Sequence, residues 1–254
     1  MTPRRGEAGF DYSGGQVVVT GAGRGIGRAL AAAFADAGAH VVGVTRSAAS
    51  ADELRSETGF TVVQTDIVAD SAPETIHRAV RGNGLPLLGL INNAGEVVTR
   101  APAVEWGKEA WQRALDVNLT AVFALSAELF EPLREAGGAV VNVASVLSFT
   151  GGLNSVGYAA SKGGVAQLTK ALSNEWAPLG VRVNAIAPGY VATDANATLR
   201  DPANPRAAAI TARIPMHRWA APDDMCGPVL FLCSDAARYL TGVVLPVDGG
   251  FLSW

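Results

Sequence analysis

The chain has little of what marks a secreted, metal-bound or nucleic-acid-binding protein. It carries two cysteines and three histidines in 254 residues. A secreted disulfide framework needs more cysteines, and the spacing of Cys226 and Cys233 matches no metal knuckle. Both read as small buried residues. His40, His77 and His217 are scattered without the close spacing of a ligand set, so no metal is expected. A basic excess is also missing: the net charge is −3, which gives no field to hold nucleic acid or an anionic membrane. No apolar run approaches the roughly 18 residues of a membrane span. No apolar core follows the polar start Met1-Thr2-Pro3-Arg4-Arg5-Gly6, so a signal peptide is not expected and the expected location is the cytoplasm. These absences leave a protein acting on small molecules.

What is present is apolar residue: 49% of the chain, enough for one sizeable core. Residues 1–15 lack periodicity and read as a tail. Residues 16–254 show no composition shift, linker or repeat, so they read as a single domain. Within them short β-branched runs alternate with helical stretches. The expected strands are Val17–Thr20, Val41–Val44, Thr61–Gln64, Leu87–Ile91, Ala139–Val143, Arg182–Ile186 and Val243–Val247; the expected helices include Arg28–Ala37, Trp111–Leu133 and Gly163–Trp176. Continuous runs such as Val17-Val18-Val19 suit strands buried on both faces. The alternation predicts an α/β fold, a doubly wound parallel sheet with helices on both faces. In such a sheet ligands collect beyond the C-terminal ends of the strands.

The first strand runs into Thr20-Gly21-Ala22-Gly23-Arg24-Gly25-Ile26-Gly27 and then a helix. Glycine permits the sharp turn and the approach of a bulky anion, and the helix N-terminus offers free N–H groups to a pyrophosphate. Gly21, Gly25 and Gly27 read as the glycines that matter, because the spacing departs from plain G-x-G-x-x-G. The second strand ends Val44-Thr45-Arg46-Ser47 without the acid that would bind a ribose 2′-hydroxyl. Arg46 and Arg24, with a hydroxyl of that segment, suit a 2′-phosphate, since guanidinium binds phosphate bidentately. The residues favour NADP(H), with NAD(H) the alternative. After the third strand, Thr65-Asp66-Ile67 places Asp66 to accept from an adenine amino group.

Tyr158 and Lys162 are four apart, a spacing that on a helix puts both side chains on one face. Alone, such a pair is usually solvated surface. A phenol with an ordinary pKa of about 10 is a poor base at neutral pH, and a neighbouring ammonium lowers that value. Tyr158 could then exchange a proton with a substrate hydroxyl. Ser145 changes the weight of the pair, because it follows the apolar strand Ala139–Val143 and could hold the substrate oxygen beside Tyr158. Ser148 competes for that role.

These motifs together resemble the short-chain dehydrogenase/reductases from about Gln16 onward. The resemblance rests on Thr20-Gly21-x-x-x-Gly25-x-Gly27, Asn92-Asn93-Ala94-Gly95, Asn118, Ser145, Tyr158-x-x-x-Lys162, and Pro188-Gly189 followed by Thr193. It implies a Rossmann-type sheet of seven parallel strands and a catalytic tetrad of Asn118, Ser145, Tyr158 and Lys162. Asn118 would hold a water through a helix irregularity and complete a proton relay to Lys162, which would also bond the nicotinamide ribose. Asn93, Ala94 and Gly95 would border the adenosine ribose. The backbone after Pro188, through Gly189 and Val191, would meet the nicotinamide carboxamide with Thr193. The resemblance also implies a homotetramer, a dimer of dimers, with the C-terminal Val247–Trp254 at a subunit interface. Glu96, directly after Asn-Asn-Ala-Gly, has no role in the pattern.

Segments around Ser145, Glu175 and Ala185–Thr193 are similar to sugar-acid dehydrogenases of that family, the 2-dehydro-3-deoxy-D-gluconate 5-dehydrogenases and gluconate 5-dehydrogenases. That group often uses NAD(H), against the reading of Arg46. The polar stretch Thr193–Pro215, with Asp194, Asn196, Thr198, Arg200 and Arg213, reads as a mobile lid over a hydroxylated, anionic substrate. The expected reaction moves a hydride between a nicotinamide and a secondary alcohol or ketone. The alternatives are a 3-oxoacyl-thioester reductase and a nucleotide-binding sensor or scaffold without turnover.

Overall fold

The β-branched runs form the middle layer of the molecule. The computed structural model describes residues 9–201 and 203–253. Its strands are β1 (Gln16–Thr20), β2 (His40–Thr45), β3 (Thr61–Gln64), β4 (Leu87–Asn92), β5 (Ala139–Val143), β6 (Arg182–Pro188) and β7 (Val244–Val247). They pair in parallel in the order β3-β2-β1-β4-β5-β6-β7. The chain builds outward from β1 to β3, then crosses back to lay β4 on the other side of β1. That reversal opens a crevice beyond the C-terminal ends of β1 and β4.

The helices are α1 (Gly25–Asp36), α2 (Ala48–Glu57), α3 (Ala72–Gly82), α4 (Lys108–Leu115), α5 (Ala121–Glu128), α6 (Phe130–Ala136), α7 (Val156–Trp176), α8 (Ala197–Arg200), α9 (Pro205–Ala212) and α10 (Cys226–Cys233). Side chains alternate across each strand, so a continuous apolar run feeds two cores. Val17, Val19, Ile91 and Val141 pack with Leu30 and Phe34 of α1 and Val229 and Leu232 of α10. Val18, Leu90 and Val140 pack on the opposite face with Ile76, Leu125, Leu133 and Leu172.

Three expectations need correction. The helix predicted over Trp111–Leu133 is broken. A π-helical turn, Asp116–Thr120, interrupts it after α4, and α5 ends at Glu128. Pro132 accounts for the second break: it has no N–H for the Glu128 carbonyl, and its ring would clash there. The helix expected from Gly163 begins at Val156 and so takes in both Tyr158 and Lys162. The expected tail is shorter than fifteen residues. Its residues 1–8 lie outside the described residues, but Tyr12 is only 4% exposed, its hydroxyl donates to Leu230 O at 2.5 Å, and its ring meets Phe34 edge-on at 5.0 Å. The segment straps α1 to α10.

Removing that strap should be felt globally. Tyr12→Ala should cost roughly 3–5 kcal/mol as a large-to-small core change, and Tyr12→Phe about 1 kcal/mol for the lost hydrogen bond. Urea unfolding checks both; a Tyr12→Ala protein within about 0.5 kcal/mol of wild type, the usual surface range, would show that the segment carries no core weight.

Candidate active site

The loop after β1 turns on Gly21 (φ +68°) and Gly25 (φ +55°), conformations that side-chain-bearing residues rarely adopt. Gly27 serves closeness of packing: a Cβ there would stand 2.1 Å from the Gly21 carbonyl oxygen. Gly23, left out of the sequence reading, also has no room for a side chain, because a Cβ would meet the Thr45 hydroxyl at 2.9 Å. The loop is stapled to the exit of β4. The Asn93 and Ala94 N–H groups each donate to Thr20 Oγ1 at 3.0 Å, and Asn93 Nδ2 returns to Thr20 O at 2.8 Å. No acidic residue stands in the first turn of α1, so the positive end of its dipole faces the crevice without a local counter-charge.

A cleft of about 1190 Å³ follows the strand ends. That exceeds the ~300–1,000 Å³ typical for a drug-sized ligand and suits a dinucleotide with a small substrate. Its walls include Gly21, Arg24, Gly25, Ile26 and Gly27 after β1, Thr45 and Arg46 after β2, and Asp66 and Ile67 after β3. Asn93, Ala94 and Gly95 after β4, and Pro188, Gly189, Val191 and Thr193 after β6, complete the expected set. The absence of Cβ atoms along the glycine loop is the feature that fits a pyrophosphate: backbone N–H groups there can reach a bulky anion directly.

Ser145, Tyr158 and Lys162 meet at the inner end of this cleft. Ser145 follows β5 and stands close enough to Tyr158 for its side chain to pull the phenol's pKa down; its Oγ accepts from Leu147 N at 3.1 Å. Ser148 is committed elsewhere, donating to Lys162 O at 2.7 Å. The Lys162 Nζ donates to Val143 O at 2.6 Å and lies 5.7 Å from the centre of the Tyr158 ring. Asn118 does not line the cleft. It is 0% exposed, inside the π-helical turn that packs against α7. Its amide is spent on backbone: Nδ2 donates to Glu96 O (2.9 Å) and Ala114 O (3.0 Å), and Oδ1 accepts from Glu96 N (3.0 Å). Gly95 fills the space between, where a Cβ would meet Asn118 Oδ1 at 2.8 Å and Lys162 Nζ at 3.5 Å.

The electrostatics differ from the expectation in one respect. Burial pushes the Tyr158 phenol above its ordinary value, outweighing the nearby Ser145 side chain and the field of Arg100, which both pull it down. The expected lowering by Lys162 is not what dominates, because the ammonium is aimed at the Val143 carbonyl and is itself desolvated: burial lowers its pKa from 10.5 to about 8. Helical i,i+4 spacing put the two on one face but could not say where the long lysine stem would end.

The substrate end of the cleft is partly new. Asp194, Asn196 and Arg213 line it as expected, whereas Arg200 turns away to Asn196 Oδ1 and Thr193 O, and the Thr198 carbonyl accepts from Asn204. The described part of the expected lid is not a structureless loop: α8 and α9 rest on an apolar cluster of Val146, Ile210, Ile214 and Phe251. Phe251, from the C-terminal segment, packs on Tyr190 at 5.4 Å and under the Arg213 guanidinium at 4.3 Å, within its own chain. Trp254 lies outside the described residues. Arg100 and Arg206 also line the cleft and were not singled out from the sequence. No spacing pattern links them to it; only the fold brings them there. Among the described residues no group of three His, Cys, Asp or Glu is placed to hold a metal ion.

The depressed pKa of Lys162 carries a linkage consequence. The folded protein binds that proton less tightly than the unfolded chain, so between about pH 8 and pH 10.5 unfolding takes up a proton. The cost of burying the charge is present below that window and is relieved as pH rises through it. The stability of wild type relative to Lys162→Met should therefore increase from about pH 7 to about pH 10. Thermal unfolding of both proteins across that range checks it, and a gap that stays constant would contradict the sign.

Comparison with known proteins agrees with this geometry. The family model described as enoyl-(acyl carrier protein) reductase matches residues 21–252. A 2-dehydro-3-deoxy-D-gluconate 5-dehydrogenase from Pseudoalteromonas atlantica is 44% identical over 96% of this chain and 98% of its own. Among solved structures, a protein from Beutenbergia cavernae described as an NAD(P)-dependent gluconate 5-dehydrogenase, with NADP at low occupancy, superposes with a TM-score of 0.88. It is 46% identical, over 97% of this chain and 100% of that one. A protein from Agrobacterium tumefaciens described as a 2-deoxy-D-gluconate 3-dehydrogenase, with NADP bound, gives 0.86 at 40% identity, over 98% of this chain and 100% of that one. With a glycine-loop crevice, a seven-stranded sheet and these relatives matched along nearly its whole length, the chain belongs to the short-chain dehydrogenase/reductases, NAD(P)-dependent oxidoreductases that transfer a hydride between a nicotinamide and an alcohol/carbonyl pair.

Proposed function

We propose that the protein interconverts a secondary alcohol and a ketone on a sugar acid or related polyol, with NADP(H) preferred over NAD(H) and Tyr158 as the acid–base group. The observation that carries the reading is the gathering of Ser145, Tyr158 and Lys162 beyond the end of β5, in the same cleft as the glycine loop. The nicotinamide, when bound, supplies or accepts the hydride at the substrate carbon. Ser145 donates to the substrate oxygen and holds it against Tyr158. In oxidation the hydroxyl proton passes to the Tyr158 oxygen as the carbon gives up its hydride; in reduction the phenol returns a proton to the forming alkoxide. Lys162, held by Val143 O, keeps a positive charge near the phenol and reaches toward the nicotinamide ribose. Asn118 acts through position, fixing the backbone beside Gly95 and shaping the turn through which a water would connect to Lys162.

An acidic substrate is supported by Arg100, Arg206 and Arg213 around the substrate end of the cleft, and by the sugar-acid names of the relatives. The reading of NADP(H) rests on Arg46 and Arg24 at the ribose end and on the NADP described in both solved relatives. Asp66 and Ile67 would then border the adenine. The same reading includes a cytoplasmic homotetramer, for which the half-exposed Phe123 and fully projecting Val104 offer apolar surface; no helix among the described residues is long and apolar enough to cross a membrane. Reduction of the ketone of a 3-oxoacyl thioester is the second reading, favoured by a relative from Aquifex aeolicus described as a 3-oxoacyl-[acyl-carrier-protein] reductase, 36% identical over 92% of this chain.

Tyr158→Phe should lower kcat by about 10²–10⁴ while nicotinamide binding persists. A folded, cofactor-binding Tyr158→Phe protein with near-wild-type turnover would reject the assignment, and a wild type that binds cofactor but turns over neither sugar acids, polyols nor 3-oxoacyl thioesters would favour a sensor. For the cofactor, Arg46→Ala should weaken NADPH relative to NADH by roughly ten-fold, the loss of a charge-assisted contact. An unchanged ratio would remove Arg46 as the selector.

A further inference from the structure

Glu96 is the one charged residue of the cofactor loops that the reaction leaves without a task. It is far from a loose surface side chain. Its N–H and C=O are both held by the buried Asn118 amide, at 3.0 and 2.9 Å. Its carboxylate is shared between two guanidiniums: Oε1 accepts from Arg113 Nε at 3.0 Å, and Oε2 stands 3.7 Å from Arg46 Nη1. Arg113 is in turn 3.5 Å from Asp66 Oδ2. All four side chains line the cleft. Arg46 leaves the end of β2 and Glu96 the end of β4, and these strands flank β1. The pair therefore reaches across the crevice above the exit of β1, where the ribose end of a dinucleotide would lie.

We infer that Glu96 is a cofactor-discriminating residue: its carboxylate competes with a ribose 2′-phosphate for the Arg46 guanidinium and so tempers the preference for NADP(H). The inference rests on the assignment of Arg46 to the 2′-phosphate. A phosphate arriving at Arg46 must displace the carboxylate and then sits close to it, anion beside anion. Arg113 offers little relief, because it already serves Asp66 and the other Glu96 oxygen. A dinucleotide with a free 2′-hydroxyl imposes neither demand and leaves the pair in place. The Arg46 side chain is 64% exposed and that of Glu96 32%, so the pair is weak and screened. Its effect is a graded bias, a matter of several-fold.

The test is nicotinamide-fluorescence titration of NADPH and NADH on the whole protein, for wild type, Glu96→Gln, Arg46→Ala and the double variant. Glu96→Gln keeps the size and an acceptor for Arg113 while removing the charge, and Glu96→Ala is the second variant should the amide fit poorly. Expected is a shift of about three- to five-fold toward NADPH in Glu96→Gln, in keeping with a half-exposed pair, shrinking at high salt and vanishing in the Arg46→Ala background. An unchanged ratio in both Glu96 variants overturns the inference, and so does a shift of the same size without Arg46. If Arg46→Ala alone leaves the ratio unchanged, the assignment of Arg46 has failed and the inference falls with it. If Arg46→Ala shifts the ratio and the Glu96 variants do not, only the inference has failed.

Discussion

The buried amide of Asn118 is the joint on which both ends of the cleft depend. It satisfies the N–H and C=O of Glu96 at once, fixing the chain just past the β4 exit, and it ties that chain to the Ala114 carbonyl at the end of α4. On one side of the joint Gly95 is squeezed between Asn118 and Lys162. On the other the Glu96 carboxylate is delivered to Arg113 and Arg46. The π-helical turn is what brings the amide to this place, since one extra residue in the turn re-aims the side chains around it. With every amide atom in use, a substitution there would leave buried backbone groups unpaired, at a cost of about 1–3 kcal/mol each.

A second buried polar chain braces the sheet from below. Asn92 Nδ2 donates to Asn142 Oδ1 and to Ser126 Oγ, and Asn142 Nδ2 donates to Thr169 Oγ1, each at 2.9 Å. These bonds join β4, β5, α5 and α7 just beneath the strand ends that present Asn93 and Ser145. Fully satisfied polar networks of this kind rigidify where apolar packing would tolerate sliding. The serine and the tyrosine sit on two different elements, β5's exit and α7. A ligand oxygen could meet both only if those elements keep a fixed spacing.

Much of this could be read from the chain because its signals are local. Val17-Val18-Val19 and Val140-Val141 announce strands buried on two faces, and the glycines after Thr20 announce a turn before a helix. Tyr158 and Lys162 share a face wherever a helix forms. What escaped depends on tertiary adjacency or on where a long side chain ends. Arg100, Arg113 and Phe251 carry no local signature and reach the cleft from separate segments. Tyr12 sits in a stretch without periodicity, yet one aromatic ring is enough to anchor it. Pro132 carried a signal for the break near Leu129 that the expectation of one helix over Trp111–Leu133 passed over, whereas nothing in Asp116-Val117-Asn118-Leu119-Thr120 marks a π turn by propensity. The field at Tyr158 was misjudged for the same reason. Proximity of Lys162 was legible, but its desolvation, and the Val143 carbonyl that accepts its hydrogen bond, were not.

The two ends of the cleft thus handle charge by opposite means. At the ribose end four charges alternate along Arg46, Glu96, Arg113 and Asp66, all partly exposed, so that each is compensated and each contribution is small. At the reacting end the Lys162 ammonium is buried with a carbonyl for company, beside a phenol that burial keeps protonated. Solvent screening softens the first arrangement and hardly touches the second. Exchange of one side chain at the ribose end therefore rescales a preference, because neighbours and salt can take up the difference. At the reacting end the buried lysine and phenol have no comparable chain of partly exposed partners among the described residues. On the proposed assignments, the choice of nicotinamide is accordingly a soft property of this chain, open to adjustment by single residues, and the proton chemistry at Tyr158 is a hard one.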